Sequence, residues 1–134
     1  EITHIQEYIE LEKIRFRDSI IVNQNIETIN EGIEIAPMLL IPFVENAFKH
    51  GNMIGGKLKI EMSLKVEDDR LDFYLSNSFS ADSGNNNAHG IGLENIKKRL
   101  ELHYVNNYEL KIEKRDGRYH VNLSIFDLNA LKDA

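Results

Sequence analysis

Residues 57–66, KLKIEMSLKV, alternate polar and apolar side chains without a fault. Successive side chains of a strand point to opposite faces. Leu58, Ile60, Met62, Leu64 and Val66 therefore form one apolar face, and the Lys, Glu and Ser side chains form a wet one. A strand of this kind belongs to a sheet covered on one side only. The alternation returns after the polar Glu67-Asp68-Asp69 turn in Leu71, Phe73 and Leu75, and again in Leu110 and Ile112. A Lys-Arg-Asp-Gly turn centred on Asp116-Gly117 then leads into Tyr119, Val121, Leu123 and Ile125, which predicts a hairpin. Residues 19–26 are a weaker strand candidate.

Helical spacing accounts for the other apolar segments. Residues 3–15 carry Ile5 and Ile9. Residues 37–50 open with Pro37, suited to a first helical turn, and end before Gly51. Residues 91–104 place Leu93, Ile96, Leu100 and Tyr104 on one stripe. One-sided helices and half-wet strands predict an α+β fold. It is a two-layer sandwich, a mostly antiparallel mixed sheet of about five strands covered on one face by three helices.

A length of 134 residues suits one compact domain. Lys+Arg 16 against Asp+Glu 22 gives a net charge of −6. An acidic surface repels a phosphate backbone, so nucleic acid is not an expected partner. Without cysteine there is no disulfide, thiolate nucleophile or cysteine zinc site. No apolar run approaches the roughly 20 residues that span a bilayer. The chain starts at Glu1 rather than Met and reads as a piece of something longer, so this says nothing of a parent's membrane topology.

Three features depart from a plain fold. In IPFVENAFKHG, residues 41–51, the apolar front half gives way to Glu45, Asn46, Lys49 and His50. At ~100° per residue these four share an arc of about 140° beside the face of Leu40, Phe43, Val44 and Ala47. A solvated face accounts for the Glu45–Lys49 pair. It accounts less well for a mid-helix asparagine, which suits a place where an amide oxygen meets a ligand or cation. In HGIGLENIKKRL, residues 89–100, Gly90 and Gly92 stand where a polar loop, SADSGNNNAHG, becomes a helix. Glycines there let a backbone approach a ligand, and the free N–H groups of a helix start attract an anion; such glycines also serve as simple turns. Asn77 falls on the covered face with Leu71, Phe73 and Leu75. It either finds a partner there or caps its own backbone at the loop.

Taken together, and in this order, these features resemble the ATP-binding domain of sensor histidine kinases, a member of the Bergerat-fold ATPase superfamily. PMLLIPFVENAFKHG and GIGLENIKKRLELHY resemble the autolysin-sensor type in particular, and EYIELEKIRF, residues 7–16, resembles the segment entering that domain from the phosphoacceptor helices. The resemblance covers essentially the whole chain, with residues 1–16 as lead-in helix and 17–134 as ATPase domain. It implies that Asn46 ligates a Mg²⁺ bridging the nucleotide phosphates and that Lys49 approaches those phosphates. His50 would line the nucleotide site, and Glu45 would orient a water or the metal as a catalytic neighbour of Asn46. Gly90 and Gly92, followed by Leu93 and Asn95, would hold the phosphates. Residues 78–89 would form the ATP lid, in which His89 is able to move toward the phosphates.

The family's first glycine box, Asp-x-Gly-x-Gly, is replaced by Asn77-Ser78-Phe79-Ser80-Ala81. An Asn carbonyl accepts the same bond from the adenine amino group, but without a charge, and a charge-assisted bond is roughly twice as strong. The implied activity is that of a protein-histidine kinase, passing the γ-phosphoryl of ATP to a histidine on an upstream domain of the same or the partner subunit. The acceptor motif Asn-Pro-His-Phe does not occur in residues 1–134, so the chain alone is not expected to phosphorylate itself. His4 reads as an exposed bystander, and His103 and His120 as structural or solvent-facing. A response regulator, a homodimeric parent anchored in the membrane and a cytoplasmic location for this domain are the further implications. The alternatives are a kinase-like module that has lost nucleotide and serves dimer or regulator contacts, and a related ATPase acting on serine.

Overall fold

The computed structural model describes residues 2–28, 39–50, 56–78 and 87–126. In chain order the elements are α1 (Ile2–Phe16), β1 (Ile20–Thr28), α2 (Ile41–His50), β2 (Leu58–Glu67), β3 (Arg70–Ser78), α3 (Asn87–Tyr104), β4 (Tyr108–Arg115) and β5 (Arg118–Ile125). The five strands make one sheet in the order β1-β2-β3-β5-β4. Along β2 buried and exposed residues alternate from end to end. β3 pairs antiparallel with β2, and β5 antiparallel with β3. β1 pairs with β2 in parallel, Val22 opposite Ile60. A parallel pair needs a crossover, and α2 lies between these two strands in the chain. The mixed, mostly antiparallel two-layer fold is therefore as expected.

The core lies between the sheet and the helices. Ile5 and Ile9 come from α1, Phe43, Val44, Ala47 and Phe48 from α2, and Ile96, Leu100 and Tyr104 from α3. They meet the inward side chains of β2, β3 and β5. α2 contacts both α1 and α3 and also β3, so it is the central helix over the central strand.

The β4–β5 turn has Asp116 at φ 55° and Gly117 at φ 70°. Two successive left-handed residues are what a two-residue hairpin requires, because that turn matches the strands' twist. A side chain at Gly117 would meet the left-handed penalty of about 1–2 kcal/mol. Gly117→Ala is expected to lower the denaturant midpoint by about that free energy with an unchanged slope.

Two helix starts differ from expectation. α2 begins at Ile41, and its first-turn proline is Pro42 rather than Pro37, which lies outside the described residues. Phe43 and Val44 donate their N–H groups to the Leu40 carbonyl at 3.0 and 3.4 Å, while Pro42 has no N–H to leave unpaired. α3 starts at Asn87, four positions before 91, so Gly90 and Gly92 lie within its opening turns. Glycine inside a helix costs about 1 kcal/mol relative to alanine. A helix anchored downstream by Ile96, Leu100 and Tyr104 tolerates it.

Candidate functional site

The polar arc of α2 divides in two. Leu40, Phe43, Val44 and Ala47 are buried as the wheel requires, Glu45 and Asn46 are half-buried, and Lys49 is exposed. Asn46 lines a hollow between α2 and the ends of β3 and β5, together with Phe43, Ala47, Leu75, Asn77, Tyr119 and Val121. Its space is about 290 Å³ with the open solvent at its mouth included, and the enclosed part is narrow, about 10 Å³. The hollow exists because the β3–β5 register sets Asn77 beside Tyr119 and Leu75 beside Val121. Two asparagines from separate elements thus face one apolar-walled space.

Asn77 is 5% exposed and its Nδ2 donates to the Ser78 carbonyl at 3.0 Å. Asn77 bonds to neighbouring backbone, as the capping reading has it, and it also lines the hollow. A carbonyl oxygen only accepts, so one N–H of the amide is spent there, and the amide oxygen is the atom able to meet a donor. The strand end is held by Ser78, whose Oγ accepts from the Lys59 N–H at 3.1 Å.

Glu45 is not among the residues lining this hollow. Its charge reaches Tyr8 on α1. Burial, then the charges of Glu12 and Glu45, push the Tyr8 hydroxyl up to about 12. Gly90, Gly92 and Leu93 belong to the first turns of α3, with the Leu93 side chain outside the described residues, and Asn95 is exposed. The helical position of His50 is described and its side chain is not. Of the expected lid, Ser78 ends β3, residues 87–89 open α3, and 79–86 lie outside the described residues. His4 is exposed. His120 is buried at 6% exposure on the sheet face away from the helices, with its Nδ1 2.8 Å from the Tyr74 hydroxyl, a structural role.

Among the described residues no group of three His, Cys, Asp or Glu side chains is able to hold a metal ion. A protein-only metal cage is therefore absent from them. One amide oxygen on the rim of a hollow instead suits Mg²⁺, which keeps waters and takes one or two protein ligands plus phosphate oxygens. Asn46 fits that donor pattern.

Tyr119, Phe43 and Val121 were not foreseen as site residues. Alternation placed Tyr119 on the covered face of its strand, but nothing in the sequence revealed that β5, rather than β4, would neighbour β3.

No family model matches the chain. It is 27% identical over 120 residues to the sensor histidine kinase BtsS of Escherichia coli K12, covering 89% of this chain and 21% of that protein. It is 26% identical over 131 residues to the sensor protein LytS of Oceanobacillus iheyensis, covering 87% of this chain and 22% of that protein. The chain thus spans about a fifth of the length of the curated relatives it matches. Among solved structures, the nucleotide-free catalytic domain of histidine kinase ThkA superposes with TM-score 0.63 at 15% identity, covering 96% of this chain and 92% of that one. Full-length ShkA in complex with AMPPNP gives 0.61 at 15% identity over 90% of this chain and 28% of that one. ThkA in complex with the response regulator TrrA gives 0.60 at 16% identity over 94% and 39%. The fold is that of a histidine kinase catalytic domain. In sequence, the chain is similar to sensor histidine kinases.

Proposed function

We propose that the chain is the ATP-binding catalytic domain of a two-component sensor histidine kinase of the autolysin-sensor type. The observation that carries this reading is the shared hollow: Asn46 on α2 and Asn77 at the end of β3 line the same space. ShkA, of the same fold, holds AMPPNP, which supports a nucleotide as occupant. Asn77 accepts a hydrogen bond from the adenine amino group through its amide oxygen. The apolar walls Phe43, Leu75 and Val121 exclude water from the base. Asn46 would supply one oxygen to Mg²⁺, and Lys49, with the α3 start at Gly90 and Gly92, would meet the phosphates. Mg²⁺, when bound, neutralises phosphate charge during transfer. The chain's own contribution is mainly positioning, since phosphoryl transfer asks for little covalent chemistry from the protein. Glu45, which does not line the hollow, has at most an orienting role.

The γ-phosphoryl passes to a histidine on a domain that α1 leads in from, in the same or the partner subunit of a homodimer. ThkA is seen with its response regulator, which supports such a regulator as downstream partner here. Among the described residues no helix is long and apolar enough to cross a membrane. The proposed setting is the cytoplasmic side of a membrane-anchored parent.

Calorimetric titration tests the reading. Mg-ATP should bind, and Asn77→Ala should weaken it by about 10-fold, the worth of one hydrogen bond, roughly 1.5 kcal/mol. No heat with Mg-ATP or ADP would sink the proposal and leave a kinase-like module without nucleotide.

A further inference from the structure

Resting on the nucleotide reading above, we infer that Tyr119 closes the base end of the hollow and restricts the protein to purine nucleotides whose 6-amino group is unsubstituted. Asn77 has two ladder neighbours on its face, Ile60 on β2 and Tyr119 on β5. Only Tyr119 lines the hollow, so the space lies on its side of Asn77. Directly paired residues hold their Cβ atoms roughly 5 Å apart. One N–H of the Asn77 amide donates to the Ser78 carbonyl, which orients the group, and its amide oxygen is the acceptor for one hydrogen of an exocyclic amino group. The second hydrogen of that group then points along the row toward Tyr119.

The ring has little freedom to retreat. It is 8% exposed, with Val121 the next inward residue of its strand on this face. On its far side the Lys114 ammonium stands 6.0 Å from the ring centroid. Anything larger than hydrogen on the amino nitrogen meets an aromatic wall. Phe43, Leu75 and Val121 wall the same hollow and limit how far a base could shift away from Tyr119. A smaller residue at 119 opens room where the substituent would go.

The experiment titrates the wild-type chain, Tyr119→Val and Tyr119→Phe with Mg-ATP and with Mg complexes of N6-methyl-, N6-ethyl- and N6-benzyl-ATP. Wild type is expected to bind ATP and to lose affinity steeply along the series, about 10- to 100-fold at benzyl, as overpacking of a filled site does. Tyr119→Phe keeps the ring and should keep the rejection. Tyr119→Val should accept the benzyl analogue within about threefold of ATP, since the cavity it leaves receives the added ring. Circular dichroism checks that each variant is folded. Should Tyr119→Val not fold, the wild-type series decides: a flat response overturns the inference. So does a folded Val variant that still rejects the benzyl compound. Wild type binding neither ATP nor its analogues overturns the nucleotide reading itself, and this inference with it.

Discussion

Asn46→Ala is expected to remove Mg-dependent ATP binding, a loss of roughly 100-fold or more, or about 3 kcal/mol. The magnitude follows from how little else in the described site serves a cation. Among the described residues no cluster of carboxylates or histidines offers a substitute ligand set. On the proposed reading, removing the amide oxygen would leave the metal to phosphate and water alone, and the nucleotide would lose its anchor to α2. Stability should change little. Asn46 is half-buried rather than part of the core, and alanine is a better helix former than asparagine. Asn46→Asp tests charge instead of donor number: it keeps an oxygen ligand but adds a negative group beside three phosphates. Calorimetry with and without Mg²⁺, alongside a thermal melt, separates these cases. Undiminished binding by a folded Asn46→Ala chain would defeat the assignment of the site to α2.

Much of this was legible in the chain itself, and the failures have physical reasons. The alternation in β2 and the Asp116-Gly117 turn are local signals, and each produced the element it announces. Asn77 was placeable on the covered face because period two is unambiguous once Leu71, Phe73 and Leu75 are inside. Tyr119 was not placeable at the site, since its meeting with Asn77 depends on β5 inserting between β3 and β4. That is a non-local choice which no short segment encodes. The start of α2 was misplaced because two prolines, Pro37 and Pro42, both suit a first turn, and the Leu39-Leu40 pair buried between them reads equally well as helix or as approach. Glu45 illustrates the limit of a wheel: it shares an arc with Asn46, yet it does not line the hollow that Asn46 lines.

The largest effect on folding is expected from Phe73→Ala, a loss of about 3–5 kcal/mol. Phe73 is 2% exposed in the central strand, paired with Leu64 on β2 and Leu123 on β5. Its ring centroid lies 6.0 Å from that of Phe43, on the helix that carries Asn46. No neighbour is free to fill the space, because the flanking positions are fixed by ladder hydrogen bonds and the helix above by its contacts with α1 and α3. Against a total stability of about 5–15 kcal/mol for an ordinary domain, such a cavity leaves a substantial unfolded fraction. Urea titration followed by circular dichroism measures it, and a shift worth under about 1 kcal/mol would contradict the packing described. The same variant links fold to function. Phe43 forms a wall of the hollow, so loss of its packing partner loosens α2 and weakens nucleotide binding. Because a ligand that binds only the native state stabilises it in proportion to the logarithm of its concentration, saturating Mg-ATP should restore part of the lost midpoint. A midpoint raised by Mg-ATP in Phe73→Ala, and not raised in Asn46→Ala, is the pattern expected when one residue builds the cleft and the other fills its chemistry.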